Sequence, residues 1–290
     1  MRKITKTFKK TAAFVLALII SLSTLVFSAC TIVNVSGDYD VVNAVQTEGY
    51  ITATFKIVAT VTQSTQNAQY VGSGVAYKVT ESENGTLEYY VLTNNHVVVP
   101  QENVSYEIFD CFGAKTGIIA ENKKDVFGFV TTSEKNTVQL LGAEASYDLA
   151  VLSFKVHKKG NSGDKLTDND YKTLPFSATN PKIGDKVIAI GNPFSVFNSV
   201  TVGAVKEYAE VSVDDDKTSE VKFPVISHNA PINHGSSGGA LLNSSYQIAG
   251  INFACGLDKV TGKFSAGYAV SVKKVIEFLI SKGLYEQTSD

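Results

Sequence analysis

A glycine-rich stretch around two adjacent serines is the part of the sequence best suited to chemistry. Ser236 and Ser237 are bracketed by Gly235, Gly238 and Gly239, directly ahead of an apolar run. Glycine adopts backbone angles closed to other residues, so successive N–H groups can point into one cavity beside a serine side chain, where they could stabilise an oxyanion. Gly-Ser turns are also common in ordinary loops, so this stretch alone does not separate a catalytic site from a turn.

A serine nucleophile needs partners elsewhere in the chain. Its hydroxyl is weak at neutral pH and requires a base with a pKa near the working pH, oriented by a carboxylate. The chain has four histidines, of which His96 closes a β-rich run. Asp148 immediately precedes the apolar run Leu149–Leu152, where a carboxylate persists only with hydrogen-bond donors around it. His96, Asp148 and Ser237 are therefore the candidate catalytic residues.

The elements that must position these residues are predicted to be strands. Short runs rich in β-branched and aromatic residues form two series, at about residues 50–160 and 170–270, separated by a polar stretch. Strands at this density without intervening helices predict an antiparallel all-β sandwich or barrel. Ser271 can cap a final helix over about residues 271–283, ended by Gly283. The apolar residues of that helix share one face: Val272, Val275, Ile276 and Leu279.

The first 29 residues have the pattern of an export signal. A basic stretch precedes an apolar run over residues 11–29, and Cys30 follows. The run approaches the roughly 20 residues of a membrane-spanning helix, but the basic flank, short core and small residues before Cys30 favour export. Residues 27–30 resemble the lipobox of bacterial lipoproteins, which implies a lipid anchor on Cys30 at the outer face of the cell membrane, or secretion if Cys30 is not lipidated. Residues 30–47 show no sustained period and are predicted to be a tether.

The charge balance argues against a nucleic-acid partner. The chain has 26 basic and 28 acidic residues, and Arg2 is its sole arginine. Residues 1–29 hold five of the bases and no acid, so the rest of the chain has 21 bases and 28 acids. The surface of the exported part is therefore expected to be mildly acidic, with a net charge of −7.

The remaining potential ligands do not predict a metal site or a cofactor. Cys111 and Cys255 are isolated thiols without ligand spacing, and whether they pair stays open. Residues 214–216 are three consecutive aspartates, which are expected to tip a hairpin, since neighbouring side chains on a strand point to opposite faces. His228 and His234 are expected to satisfy backbone groups or to face solvent.

Several ordered blocks resemble the trypsin-fold serine peptidases, specifically their bacterial HtrA/Deg-type branch. The resemblance runs from about Ile57 to Leu279. The order His, Asp, Ser is that of chymotrypsin-like enzymes. The blocks are Gly72–Val75, Leu92–Val98, Asp148–Leu152, Ile183–Asp185, Ala189–Phe194, Ile232–Gly239, Gly250–Asn252 and Gly267–Val270.

The resemblance implies two six-stranded barrels in a protease domain over residues 48–290, with the site in the cleft between them. It implies a serine endopeptidase that acts on proteins or peptides through an acyl-enzyme, with Ser237 as nucleophile, His96 as base and Asp148 orienting the imidazole. The oxyanion hole would lie at Gly235, Ser236 and Ser237, with the first and last donating N–H groups. By the same alignment the pocket favours small or medium apolar side chains and is formed by Pro231, Ile232, Ile251, Asn252, Phe253 and Ala269.

Two departures from the family pattern lie in the loop at residues 229–239 that carries Ser237, called the nucleophile loop below. Ser236 stands where digestive peptidases carry an aspartate that pairs with a newly cut N-terminus, and His234 stands where proline is usual. Only 53 residues follow Ser237, so we expect no PDZ domain after this site. A homo-oligomer is possible because trimers occur among relatives. The alternatives are an inactive, protease-like lipoprotein that binds peptides or partners, and a structural lipoprotein whose glycine loop is only a turn.

Overall fold

The computed structural model describes most of the chain after residue 37. The described residues are 38–62, 67–83, 85–99, 101–124, 130–157, 171–195, 197–210, 221–258 and 260–285. All of them belong to one compact unit, Ile32–Asp290. The export signal, Cys30 and the aspartates at 214–216 lie outside the described residues.

The first half of the described chain is an antiparallel sheet that curls into a half-barrel. Its strands are β1 (Thr54–Thr62), β2 (Asn67–Glu81), β3 (Thr86–Thr93), β4 (Val104–Phe109), β5 (Lys115–Thr116), β8 (Gln139–Glu144) and β9 (Leu149–His157), and a separate hairpin pairs β6 (Ile118–Lys124) with β7 (Val130–Asn136). The seven strands lie in the order β5-β4-β1-β2-β3-β9-β8. A short helix, α2 (Asn95–Val98), follows β3 directly.

The second half forms a closed six-stranded barrel. Its strands are β10 (Lys186–Gly191), β11 (Ser199–Ala209), β12 (Val225–His228), β13 (Ala240–Leu242), β14 (Ile248–Leu257) and β15 (Phe264–Ser271), in the order β10-β11-β12-β15-β14-β13. The all-β prediction with two β units is confirmed. The first unit differs in detail from a six-stranded barrel, since it has seven strands and an open edge.

The apolar run that begins β9 explains how the two halves hold together. Successive side chains of a strand point to opposite faces, so both faces of this strand can be buried. Leu149 and Val151 pack in a cluster that also contains Ile188 and Ile190 of the second barrel, whereas Leu152 packs in a cluster that contains no strand residue of the second barrel. One shared apolar cluster therefore docks the half-barrel against the closed barrel.

The predicted tether over residues 30–47 is corrected in its second part. Residues Tyr39–Thr47 form helix α1, and its Val42 and Val45 are buried in the cluster shared by both halves. These two valines are three residues apart and so lie on the same face of the helix. A single short apolar stripe is too weak a period to see in the sequence, but it is enough to dock a helix of nine residues.

The C-terminal helix α3 (Val272–Ser281) begins after Ser271, as expected. Its buried side chains are Val272, Val275, Phe278 and Leu279. Phe278 is therefore buried where Ile276 was expected to be, and Ile276 is half-buried. Across the described ranges no helix combines the length and the apolar character needed to span a bilayer.

Candidate active site

His96 lies on α2, at the point where the chain leaves strand β3. Its side chain is 21% exposed. Strand pairing places it opposite the start of β9, because Thr93 at the end of β3 pairs with Ala150. His96 lies three residues after Thr93, and Asp148 lies two residues before Ala150. The pairing of these two strands therefore brings His96 and Asp148 together.

Asp148 is fully buried and makes a two-point contact with His96. One carboxylate oxygen accepts from the His96 backbone N–H at 3.0 Å, and the other lies 2.8 Å from Nδ1 of the ring. An ionised carboxylate accepts hydrogen bonds only, so Nδ1 is the ring nitrogen that donates, and a neutral ring then has its lone pair on Nε2. Asp148 also has φ of +49°, a left-handed conformation that Asp tolerates better than most residues, and Asn94 donates to its carbonyl at 2.8 Å.

Ser237 lies in the loop between β12 and β13 and reaches the first half through its backbone. Its carbonyl accepts a hydrogen bond of 2.7 Å from the N–H of Ser73 on β2. At the adjacent residue of β2, a side chain replacing Gly72 would come within 2.5 Å of Val97 and 3.0 Å of the Ser237 carbonyl. The helix that carries His96 and the loop that carries Ser237 therefore meet on the same short stretch of β2.

The hydroxyl of Ser237 donates to the carbonyl of Phe253 at 3.2 Å. A hydroxyl has a single proton, so in this conformation that proton points toward β14. Transfer to an imidazole requires the hydroxyl proton to turn away from that carbonyl. Catalytic hydrogen bonds are often incomplete in the absence of substrate, so this geometry is compatible with a nucleophile at rest.

The residues before Ser237 form a tight turn from Asn233 to Ser236. The Ser236 N–H donates to the Asn233 carbonyl at 2.8 Å, and Gly235 has φ of +93°, as the third residue of a type II turn requires. A Cβ on Gly235 would lie 2.6 Å from the Asn192 carbonyl. This position therefore needs glycine for both its backbone angle and its surroundings.

Two peptide planes in this turn have fixed orientations. The His234 carbonyl accepts from Phe194 N–H at 2.8 Å, and the Ser236 carbonyl accepts from Gly239 N–H at 2.9 Å. In a trans peptide the N–H points opposite to the carbonyl, so the N–H groups of Gly235 and Ser237 face away from those partners. Neither N–H donates to another described residue. Both are therefore free to bind an oxygen from outside the chain.

Ser236 and His234, the two residues of this loop that depart from the family pattern, differ in their exposure to solvent. The Ser236 side chain is buried and accepts from the Asn233 N–H at 3.2 Å, so a hydroxyl closes the turn where digestive peptidases have an aspartate. His234 is exposed. The turn from Asn233 to Ser236 therefore forms with a histidine at position 234 and a serine at position 236.

Of the six residues expected to form the substrate pocket, three lie on β14, one lies on β15 and two lie in the β12–β13 loop, and their side chains are mostly enclosed. Pro231 is half-buried, and the other five, Ile232, Ile251, Asn252, Phe253 and Ala269, are less than one-tenth exposed. Ile232 and Ala269 pack in one apolar cluster, and Ile251 packs in the cluster shared by both halves. The Asn252 amide bonds internally, to the carbonyls of Gly239 and Ala240.

His228 has a more specific place than the sequence indicated. It is fully buried at the end of β12, and its Nε2 lies 3.0 Å from the side-chain oxygen of Asn252. Burial lowers the pKa of His228 from 6.5 to about 4, although the Asn252 and Ala230 contacts act in the opposite direction. The ring packs against Gly267, where any Cβ would collide with it. His228 therefore neither faces solvent nor serves only a backbone group.

Sequence reasoning assigned no role to Ser73 and Asn192, which the structure places beside the turn. Both are buried, and the Ser73 hydroxyl donates to the Gly235 carbonyl at 2.7 Å and accepts from the Asn192 N–H at 2.8 Å. The available signal was a serine between two glycines on an apolar strand, Gly72 to Gly74, where a buried hydroxyl needs partners.

The described ranges contain no cluster of three or more His, Cys, Asp or Glu residues that could hold a metal ion. Neither Cys111, which is buried, nor Cys255, which is half-buried, is in a disulfide. The open question of their pairing is thus answered: they form no disulfide.

A curled antiparallel sheet and a closed barrel that bring a histidine, paired with a buried aspartate, to a glycine-rich serine turn define the trypsin-like peptidase fold. The chain belongs to this family: the family model described as "Trypsin-like peptidase domain" matches residues 72–251.

Curated relatives place the chain near the HtrA-type branch. It is 32% identical over 225 residues to the serine protease Do-like HtrA of Bacillus subtilis (strain 168), a match that covers 74% of this chain and 40% of that protein. It is 30% identical over 164 residues to the serine endoprotease DegS of Escherichia coli (strain K12), which covers 56% of this chain and 36% of that protein. The chain thus spans well under half the length of these relatives.

Solved structures support the fold. The active form of the Rv3671c protease from M. tuberculosis aligns with a TM-score of 0.59 at 18% identity, covering 90% of this chain and 94% of that one. The HtrA-type protease AlgW with a tripeptide aligns with a TM-score of 0.53 at 25% identity, covering 83% and 62%.

Proposed function

We propose that the protein is an exported serine endopeptidase that uses His96, Asp148 and Ser237. The observation that carries this proposal is the two-point contact that fixes the His96 ring on the Asp148 carboxylate, next to a turn with two free N–H groups. A buried carboxylate, a partly exposed imidazole and a serine hydroxyl are the parts that peptide-bond hydrolysis requires.

In the first half of the reaction the Ser237 hydroxyl turns from the Phe253 carbonyl toward Nε2 of His96. Its oxygen forms a bond to the carbonyl carbon of the substrate while the imidazole takes its proton. The C–N bond then breaks, and the imidazolium gives that proton to the leaving amine. Asp148 stabilises the imidazolium without itself being protonated.

In the second half water attacks the acyl-enzyme. His96 takes a proton from the water, the C–O bond to Ser237 breaks, and the imidazolium returns the proton to the serine oxygen. In both halves the negative charge that develops on the substrate oxygen is stabilised by the N–H groups of Gly235 and Ser237 in the oxyanion hole at Gly235–Ser237. Preorganised donors of this kind need no rearrangement at the moment of reaction.

For specificity we propose cleavage after small or medium apolar side chains. Ile232 and Ala269 pack in one apolar cluster, and the buried imidazole of His228, which contacts Asn252, is neutral at physiological pH. A peptide-library profile tests this, and cleavage mainly after Lys or Arg would contradict it.

For location we propose export under the signal at residues 1–29 and a lipid anchor on Cys30 at the outer face of the membrane. A single acyl chain gives only marginal binding, so the two-chain anchor of a lipoprotein would be needed for stable attachment. Metabolic labelling with an alkyne fatty acid tests the anchor, with Cys30→Ala as the matched control. Equal labelling of both would contradict it.

One observation favours a second candidate, a peptidase-shaped protein that binds peptides without cleaving them. The Ser237 hydroxyl is bonded to the Phe253 carbonyl, and that contact would have to break before catalysis. In this alternative the contact is permanent and the cleft is only a binding groove.

Labelling with a fluorophosphonate separates the two candidates, because this reagent bonds only to an activated serine. We expect the purified protein to be labelled and Ser237→Ala not to be. Ser245→Ala, a change at a serine in the exposed β13–β14 turn, is the matched control and should label normally. A folded wild-type protein that does not label, yet binds peptides, would establish the second candidate.

A further inference from the structure

Ser73 is a fully buried serine of the first half whose three polar groups are all used at or beside the nucleophile loop. Its N–H donates to the Ser237 carbonyl, its hydroxyl donates to the Gly235 carbonyl, and its own carbonyl accepts from the hydroxyl of Thr93, each at 2.7 Å. The carbonyls of both residues whose N–H groups we assign to the oxyanion hole therefore end on this one residue. Ser73 and Gly235 are 162 positions apart in the sequence.

The direction of the Ser73 hydroxyl is fixed by a second contact. Its oxygen accepts from the backbone N–H of Asn192 at 2.8 Å, so its single proton is committed to the Gly235 carbonyl. Asn192 is held in turn, since its side-chain amide donates to the Phe55 carbonyl at 3.0 Å and its side-chain oxygen accepts from the Asn198 N–H at 3.2 Å. The hydroxyl is thus preorganised by a buried network.

This contact matters because Gly235 has no side chain to restrict its backbone. Its N–H belongs to the peptide whose carbonyl is held by Phe194, and its carbonyl belongs to the next peptide, held by Ser73. Both planes must be held for the glycine to keep φ of +93° and direct its N–H into the cleft. Without the hydroxyl, the Gly235 carbonyl would be left unsatisfied, and its peptide would be held only through the Ser236 N–H on the Asn233 carbonyl.

We propose that Ser73 is a positioning residue that sets the oxyanion-binding conformation of the Gly235–Ser237 turn. The hydroxyl belongs to the folded first half, so the docking of that half sets the turn. This inference rests on the proposed function, since it assigns a role within that site.

The matched comparison is Ser73→Ala against Thr137→Val in the full chain. Thr137 is also a buried hydroxyl that donates to a glycine carbonyl, that of Gly117 at 2.8 Å, and accepts from a backbone N–H, that of Lys155 at 2.8 Å. It lies in the first half, away from the turn. The two variants therefore lose the same kind of contact, and only one of them loses it at Gly235.

We expect both variants to lose similar thermal stability. Ser73→Ala alone should lose about 10- to 100-fold in kcat on a peptide substrate and in the rate of fluorophosphonate labelling. Its KM should stay within about threefold of the wild-type value. The loss is smaller than the roughly 10²- to 10³-fold of deleting an oxyanion donor, because the donor is misdirected and not removed. Ser73→Cys keeps a weak donor and should recover part of kcat, and it replaces the alanine variant if that variant does not fold.

Three results would overturn the proposal: a kcat of Ser73→Ala within threefold of wild type, an equal fall of kcat in Thr137→Val, or a loss confined to KM. A folded wild-type protein that neither labels nor cleaves would instead overturn the proposed function, and this role with it. The first three results leave that function intact, so the two failures are distinguishable.

Discussion

Acidification should destabilise the fold through His228. This histidine is fully buried, with its pKa lowered to about 4, while the unfolded chain has the ordinary value of 6.5. Between these values the unfolded state binds the proton and the folded state does not. The stability contribution is therefore fully present above about pH 6.5 and is lost as the pH falls toward 4.

The size of the effect follows from the two pKa values. Their difference corresponds to about 3 kcal/mol when fully developed, and about 2 kcal/mol of it is lost between pH 7.5 and pH 5. We expect urea unfolding at fixed ionic strength to show this loss in the wild type. His228→Gln keeps an amide donor for Asn252 but has no group to titrate, so its stability should fall by about 2 kcal/mol less over the same range.

The comparison between variants isolates this residue from the carboxylates, which titrate in every variant. His157→Gln, a change at a half-buried histidine at the end of β9, is the control and should follow the wild type. If the stability of wild type and of His228→Gln fell in parallel from pH 7.5 to pH 5, the buried neutral imidazole would not be the cause, and the reasoning from burial would be refuted.

Three further predictions concern the site and the fold. Asp148→Asn should keep the contact geometry but lower kcat about 10⁴-fold through the wrong imidazole tautomer, and a loss under tenfold in steady-state kinetics would contradict this role. Gly238→Ala should abolish folding or lower Tm sharply, because φ is +84° and the new methyl would overlap the Ser73 carbonyl. Gly262→Ala, at φ +66° with open space around it, should cost only about 1–2 kcal/mol. Equal Tm values for the two variants would be inconsistent with this packing. Val45→Asp should destabilise the protein in urea by several kcal/mol through an unpaired buried charge, while a true tether there would tolerate it.

The parts of the site that could be predicted from the sequence are residues whose type differs from that of their immediate neighbours in the chain. Asp148 stands next to a wholly apolar run, and His96 closes a strand, so each is conspicuous in its own segment. The structure brings these two together through the register of β3 with β9. The glycines around Ser237 likewise indicated a turn with special backbone angles, and two of them have positive φ.

The parts that could not be predicted depend on contacts between distant segments. The Ser73 hydroxyl has its partners 119 and 162 positions away, so the neighbouring sequence gives no sign of what it holds. The low pKa of His228 comes from enclosure by β11 and β15, which only the barrel creates. Helix α1 was missed because its burial rests on Val42 and Val45, a stripe too short to stand out.

The bonds from Ser73 to the nucleophile loop have a consequence for the order in which the protein becomes reactive. Because the carbonyls of Gly235 and Ser237 end on a strand of the other half, a closed barrel that has formed alone carries the nucleophile without the groups that orient it. His96 and Asp148 belong to that other half as well. On the proposed mechanism, a newly made chain therefore has no activated serine until its two halves dock.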